Sequence, residues 1–297
     1  MQIAGIPVCM RQQLQTIKHL SSSIDVSTME ILRPIVDDIV HLKSHGLSAY
    51  DDSLGREVHV MSDIDACVCD FNMLAEASNH MGPNTKKYCP RCYADASNFH
   101  KCAEREPEKT QRILEHLAMN NTKELRQKHG LKPYDNCLWE IINPHSDIPV
   151  EQLHWMYLGL GKFVAKKCIE AMSEHQLEKL NAMIDSCDQS PLHNRVSNDF
   201  IRYIDSRQGK DVKSYLQIAP IHMAMCGLER EKVKVICRIS ELSKIFSLTE
   251  KYTMESINIV DQKLANLLSD IQEVFPELTS KVKTHMSTHI VCMNVKL

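Results

Sequence analysis

Two thiols sit two residues apart in Tyr88-Cys89-Pro90-Arg91-Cys92. A two-residue loop turns back sharply enough to bring both sulfurs to about 2.3 Å from one Zn²⁺. A structural zinc takes four ligands, so two more are needed. One completion is local: His100 and Cys102 give the spacing C-x2-C-x7-H-x-C. The other uses His145 and His154, which open and close the phrase His145-Ser146-Asp147-Ile148-Pro149-Val150-Glu151-Gln152-Leu153-His154. This second set would clamp the thiol loop to the start of a helical region, and structural zinc commonly ties distant segments in this way. The competing account of Cys89 and Cys92 is a pair of ordinary thiols or a redox pair, but a redox pair belongs at a helix N-terminus in a thioredoxin-like unit, which nothing else here supports. His154 taken alone reads as a helix-face residue packed on Trp155, and Glu151 as a cap of that helix. His285 and His289 share the i, i+4 spacing of one helix face. With neither a Glu after the first nor a third ligand in view, they are assigned to structure. Cys67, Cys69, Cys168, Cys226 and Cys237 lie on apolar faces and read as core.

Oxygen chemistry is offered at the end of a strand. Arg56-Glu57-Val58-His59-Val60-Met61 alternates as a strand does, and Asp63 and Asp65 follow it. Hard Mg²⁺ prefers such carboxylates but needs two or three converging on it. Standing alone, Asp63 is a solvated loop acid.

The elements that would carry these groups are mostly helical. Ser27 and Thr28 can cap a helix with the stripe Leu32, Ile35, Val36, Ile39 and Leu42, closed by Gly46, its start delayed a turn by Pro34. Residues 3–8 read as a short strand, 51–53 as a turn, 66–77 as a helix, and 110–128 as a helix closed by Gly130. From residue 150 onward the spacing predicts helices over 150–173, 174–184, 209–226 with a break at Pro220, 232–248 and 254–275. The expected class is mostly α with a small α/β part, divided as residues 1–80 (α/β), 81–155 (zinc-binding) and 156–297 (helical).

The 297 residues carry 43% hydrophobic, 25% charged and 5% aromatic side chains, a globular profile with an aliphatic core. Lys and Arg number 35 against 38 Asp and Glu, a net charge of -3, without the basic excess of a free-standing nucleic-acid binder. No apolar run reaches the length of a membrane span, and no signal peptide opens the chain. The 12 cysteines are scattered without a small-domain framework, which suggests reduced thiols in the nucleus or cytoplasm.

Several of these phrases, in order, resemble motifs of the CACTA-type (En/Spm) DDE transposases, in particular their fungal branch. Leu32-Arg33-Pro34-Ile35-Val36-Asp37-Asp38 resembles a helix of that family, and residues 29–63 resemble the segment leading to its second catalytic Asp. Cys89-Pro90-Arg91-Cys92 is similar to its C-x-x-C. His145 through His154 resembles its H-R-D-T-P-V-E-I-L-H, continued by Leu158-Gly159-Leu160-Gly161-Lys162. Gly209-Lys210-Asp211-Val212-Lys213 with Gln217-Ile218-Ala219-Pro220, and Phe275-Pro276 with Lys281 through His289, resemble two later segments. The resemblance covers residues 29–290. It implies an RNase H-like core, truncated at both ends, interrupted by a helical insertion stabilised by structural zinc on Cys89, Cys92, His145 and His154. It implies Asp63 as the second catalytic acid, with Asp211 as the candidate third. It also implies Mg²⁺ or Mn²⁺ as the catalytic ion if the chain were active, and DNA as the ancestral partner. No residue ahead of Asp63 supplies the first acid, so the expectation is a transposase remnant without catalysis of its own. The alternative is a non-enzymatic, zinc-stabilised helical interaction module. An unpaired sheet edge would favour self-association.

Overall fold

The computed structural model describes residues 24–95, 97–100, 102–192, 194–197, 199–247 and 253–290. The strand expected at residues 3–8 lies outside them. Among the described residues the chain is mostly helical, with one sheet of two strands.

The first helix, α1 (Thr28–Ser44), starts on a capping box. The Ser27 hydroxyl accepts the Glu30 N–H at 3.3 Å, and the Glu30 carboxylate accepts the Ser27 N–H at 2.8 Å. Pro34 does not delay this start; it sits inside the helix. Its missing N–H forgoes one bond, while Met29 and Val36 are buried on either side of it. Gly46 then turns the chain into β1 (Leu47–Asp51), which pairs antiparallel with β2 (Arg56–Val60), Leu47 opposite Val60 and Asp51 opposite Arg56. The Asp51 carboxylate accepts the N–H groups of Ser53 and Leu54 and so builds the expected turn. β2 was legible from its alternation. β1 was not, because Leu47-Ser48-Ala49-Tyr50 offers no β-branched run.

The helix expected over 66–77 is shorter: α2 (Phe71–Ala77) begins where the Asp70 carboxylate accepts the Met73 N–H at 2.8 Å. The single helix expected over 110–128 is two, α3 (Pro107–Met119) and α4 (Lys123–His129). The break falls where Thr122 caps α4 by accepting the Leu125 N–H. Gly130 ends α4 in the left-handed region at φ 69°. A Cβ there would lie 2.6 Å from the Lys87 carbonyl oxygen and 2.9 Å from Nε2 of His80. Gly130→Ala is therefore expected to cost about 2 kcal/mol, through a strained φ and crowding together. The measurement is urea unfolding, with a lower midpoint at unchanged slope.

The second half is a helical assembly. A π-helical segment (Leu153–Leu160) runs directly into α5 (Gly161–Glu170). It is followed by α6 (Glu174–Ser186), capped by Ser173 with Gln176, then α7 (Gly209–Met225), α8 (Arg230–Ile245) and α9 (Met254–Val274). α7 continues through Pro220 without the expected break. Here burial of Leu216, Ala219 and Met223 holds the helix across the missing bond. α8 packs between α7 and α9 and also against α5. The chain then makes a 3-10 turn (Pro276–Ser280), α10 (Val282–His285) and a last 3-10 turn (Met286–His289). One buried cluster runs from Met29 to Ile290. Among the described residues no helix is long and apolar enough to cross a membrane.

Candidate metal centre

Four side chains from two distant stretches of the chain meet in the core. The sulfurs of Cys89 and Cys92 and ring nitrogens of His285 and His289 all lie within 4.8 Å of one another, and all four residues are buried. Cys92 Sγ stands 3.1 Å from His285 Nε2, Cys89 Sγ 3.5 Å from His289 Nε2, and the two Nε2 atoms 3.2 Å apart. A tetrahedral zinc with its usual bond lengths sets S···N edges of about 3.5 Å and N···N edges of about 3.3 Å. These three separations lie within about 0.4 Å of such edges. The cluster can hold a metal ion such as zinc.

The thiol loop is made by its neighbours. Behind it the chain folds back as a narrow ribbon: Arg105 N–H donates to the Arg91 carbonyl at 2.8 Å and Tyr93 N–H to the Ala103 carbonyl at 3.1 Å. The ribbon turns on Asp95, whose carboxylate accepts the N–H groups of Ser97 and Asn98 and pairs with Lys87. The Arg91 N–H points at the Cys89 sulfur at 3.4 Å. Two buried guanidiniums then fix the backbone. Arg105 Nε donates to the carbonyls of Cys89 and Cys92 at 3.1 and 3.2 Å, and its Nη1 to the His129 carbonyl. Arg91 Nη1 donates to the His145 carbonyl at 3.0 Å. A guanidinium suits this work because its donors form a planar fork.

The imidazoles arrive on a short helical arm whose i, i+4 spacing puts both rings on one side. His285 Nδ1 lies 2.6 Å from the Phe99 carbonyl. A carbonyl only accepts, so Nδ1 carries the proton and the Nε2 lone pair faces the sulfurs, the outer-shell arrangement of metal-binding histidines. The arm is tied to the π-helical segment by Trp155 Nε1–H donating to Ser287 Oγ at 2.9 Å and by Lys283 Nζ donating to the Leu158 carbonyl at 3.1 Å. Gly159 allows this approach, since a Cβ there would lie 2.8 Å from the Lys283 side chain.

Without a metal the four groups share protons unequally. Burial opposes ionisation of Cys89, but contacts from Cys92, His285 and His289 outweigh it and hold the thiol well below its ordinary value. Cys92, giving its proton toward Cys89 and buried as well, is pushed up. Burial lowers the basicity of His285, and the Cys89 sulfur more than restores it. The cluster thus already favours one thiolate, and the charge of a divalent ion supplies what the second needs.

The sequence expectation placed His145 and His154 beside Cys89 and Cys92; the structure gathers His285 and His289 there instead. His145 is close to the loop but faces its backbone. Its Nδ1 lies 2.8 Å from the Pro90 carbonyl, so it donates there, and its Nε2 accepts from the Thr110 hydroxyl at 2.9 Å. Both ring nitrogens are used, and burial, aided by Arg105, lowers its basicity to about 3. His154 is partly exposed and pairs with Glu151 at 2.6 Å, and Glu151 also accepts the N–H groups of Leu153 and His154, the capping role expected of it. Of the local alternatives, Cys102 turns its thiol to the carbonyls of Asn98 and His100, and neither His100 nor Cys102 joins the cluster. The available signal for His285 and His289 was their spacing and their place in a phrase that resembles a family segment.

The two acids do not form a metal site with a third. Asp63 is half-exposed beyond β2 and pairs with Lys43 at 2.6 Å, which with the Ile64 N–H keeps its carboxyl below the ordinary range. Asp211 caps α7 by accepting the Gln208 N–H at 3.1 Å. Among the described residues, the cysteine–histidine cluster is the one group of three or more metal-ligating side chains within such reach. Comparison of the chain with protein-family models, with curated proteins and with solved structures finds no match.

Proposed function

We propose that this chain is a transposase-derived unit whose fold is closed by structural zinc, and that it does not cleave DNA by itself. The observation that carries the reading is the meeting of Cys89-x2-Cys92 with His285-x3-His289. Both segments were singled out by their resemblance to DDE transposase motifs, and residues 193 and 200 positions apart come together in one buried cluster. An RNase H-like ancestry fits the helix, turn and strand leading to Asp63, and DNA is the ancestral substrate. Two-metal phosphoryl transfer requires converging carboxylates. Asp63 engages a lysine, Asp211 engages a helix start, and no third acid gathers with either among the described residues. Zinc is the structural ion of this reading, and among the described residues no carboxylate cluster gathers for Mg²⁺ or Mn²⁺.

The alternative, an interaction module, draws its support from the β1–β2 hairpin. Leu47 and Tyr50 are mostly exposed, and two strands alone are marginal in water, so self-association through this ribbon is the form that reading takes. The test of catalysis is incubation of the zinc-loaded chain with supercoiled plasmid and Mg²⁺ or Mn²⁺. The expected result is no nicking above background, with Asp63→Asn indistinguishable from the parent in both cleavage and zinc content. Metal-dependent nicking abolished by Asp63→Asn would contradict the non-catalytic reading and establish the nuclease.

A further inference from the structure

A second pair of thiols lies outside the metal centre. Residues 66–70 run without helix or sheet pairing between β2 and α2. Val68 is 67% exposed, while Cys67 and Cys69 on either side of it are half-buried and packed against the core. This is the alternation of an extended chain, which puts residues i and i+2 on one face. The side chains of Cys67 and Cys69 therefore share that face, two residues apart. The segment is held at both ends: Cys67 N–H donates to the Asp147 carbonyl at 3.1 Å, and the Asp70 carboxylate is fixed on Met73 N–H. Cys69 is only partly buried and lines a small cavity together with Asp70, Glu151, His154 and Lys283. No third cysteine, histidine or carboxylate gathers with the pair among the described residues, so the four-ligand demand of zinc is not met there.

We propose that Cys67 and Cys69 are a redox-active dithiol that hydrogen peroxide closes into an intramolecular disulfide while the metal centre stays intact. The Cys67 thiolate attacks one peroxide oxygen, the O–O bond breaks, and the departing hydroxide takes up a proton to leave as water. The resulting sulfenic acid on Cys67 is then attacked by the Cys69 sulfur. The S–S bond forms, the S–O bond breaks, and the Cys69 proton leaves with the hydroxyl as a second water. Two sulfurs lose one electron each, and peroxide takes both. The roles follow from how the pair shares its protons: the neighbouring Cys69 thiol holds Cys67 below the ordinary thiol range against the opposing effect of burial, and Cys69 itself is pushed up. Cys67 is then the nucleophile and Cys69 the resolving thiol. Cα atoms two apart in an extended chain stand near the upper end of the disulfide range, so closure tightens the segment and the bond is readily reduced. The metal thiols are fully buried, which leaves the 67–69 pair as the more accessible target.

The test is a peroxide titration of the zinc-loaded full chain at neutral pH, followed by alkylation of the remaining thiols and peptide mass spectrometry. The peptide carrying Cys67 and Cys69 is expected to lose about 2 Da, to regain it with dithiothreitol, and to do so before any zinc is released. Cys69→Ser should stop the reaction at a sulfenic acid on Cys67 that dimedone traps. Cys67→Ser should slow consumption of peroxide by about tenfold or more. Oxidation of Cys89 and Cys92 with loss of zinc while Cys67 and Cys69 remain alkylatable would overturn the proposal. So would an unchanged rate in a Cys67→Ser chain that retains its zinc.

Discussion

Cys89→Ala or His289→Ala is expected to abolish zinc binding and to unfold the region where the thiol loop meets the last helical turns, while His145→Ala and His154→Ala each retain one zinc per chain. The size of the effect follows from the metal. Structural zinc in small domains contributes roughly 10–16 kcal/mol of apparent binding energy, comparable with the whole 5–15 kcal/mol margin of a typical domain. Loss of any one ligand leaves a buried thiol or imidazole without its partner as well. His145→Ala acts differently. It removes the donor to the Pro90 carbonyl and the acceptor for Thr110, and opens a cavity, at a cost of about 2–4 kcal/mol. His154 is partly exposed and pairs with a neighbouring acid, so its loss costs about 1 kcal/mol or less. Metal analysis of the four purified variants separates the two sets. Zinc lost from His145→Ala and kept in His289→Ala would contradict the assignment.

Arg105→Met is expected to give the next largest effect, about 3–5 kcal/mol, although Arg105 touches no metal. Methionine keeps the stem and removes the fork that donates to the carbonyls of Cys89, Cys92 and His129. Each of those oxygens is then left in a buried setting, at about 1–3 kcal/mol apiece. Arg105→Lys should recover little, because an ammonium cannot present donors in one plane to separate carbonyls. Two readouts test this: the urea midpoint, which should fall, and the rate at which a chelator strips zinc, which should rise by about tenfold or more as the thiol loop loses its brace. A chelation rate equal to that of the parent would show that the loop is held by something other than Arg105.

What could be read from the sequence, and what could not, divides along the range of the forces involved. Local signals were legible: the helix start at Ser27, the helix boundary at residue 174, and the alternation of β2. The proline at 34 and the proline at 220 were given too much weight. Each removes one local bond, and the buried residues around it keep the helix intact. The start at Asp70 and the break before Thr122 went unread because a single side-chain cap decided each.

In the metal site the thiol pair was legible because its spacing alone brings two sulfurs together. The imidazole pair was not, because i, i+4 histidines are common on helix faces, and nothing local tells a ligand from a packed ring. His145 and His154 drew attention by the density of acid and imidazole around them. The structure gives that density other uses: His145 holds the loop backbone, and Glu151 caps a helix and pairs with His154. Closure between residues near 90 and residues near 287 is a property of the whole fold, and no periodicity records it.

The most direct measurement is zinc-edge X-ray absorption of the purified chain. Two sulfurs at about 2.3 Å and two imidazole nitrogens at about 2.0–2.1 Å are predicted, with the zinc edge lost in His285→Ala and the spectrum unaltered in His145→Ala. A shell of sulfur alone, or of oxygen and nitrogen without sulfur, or a purified chain that carries no zinc, would contradict the account.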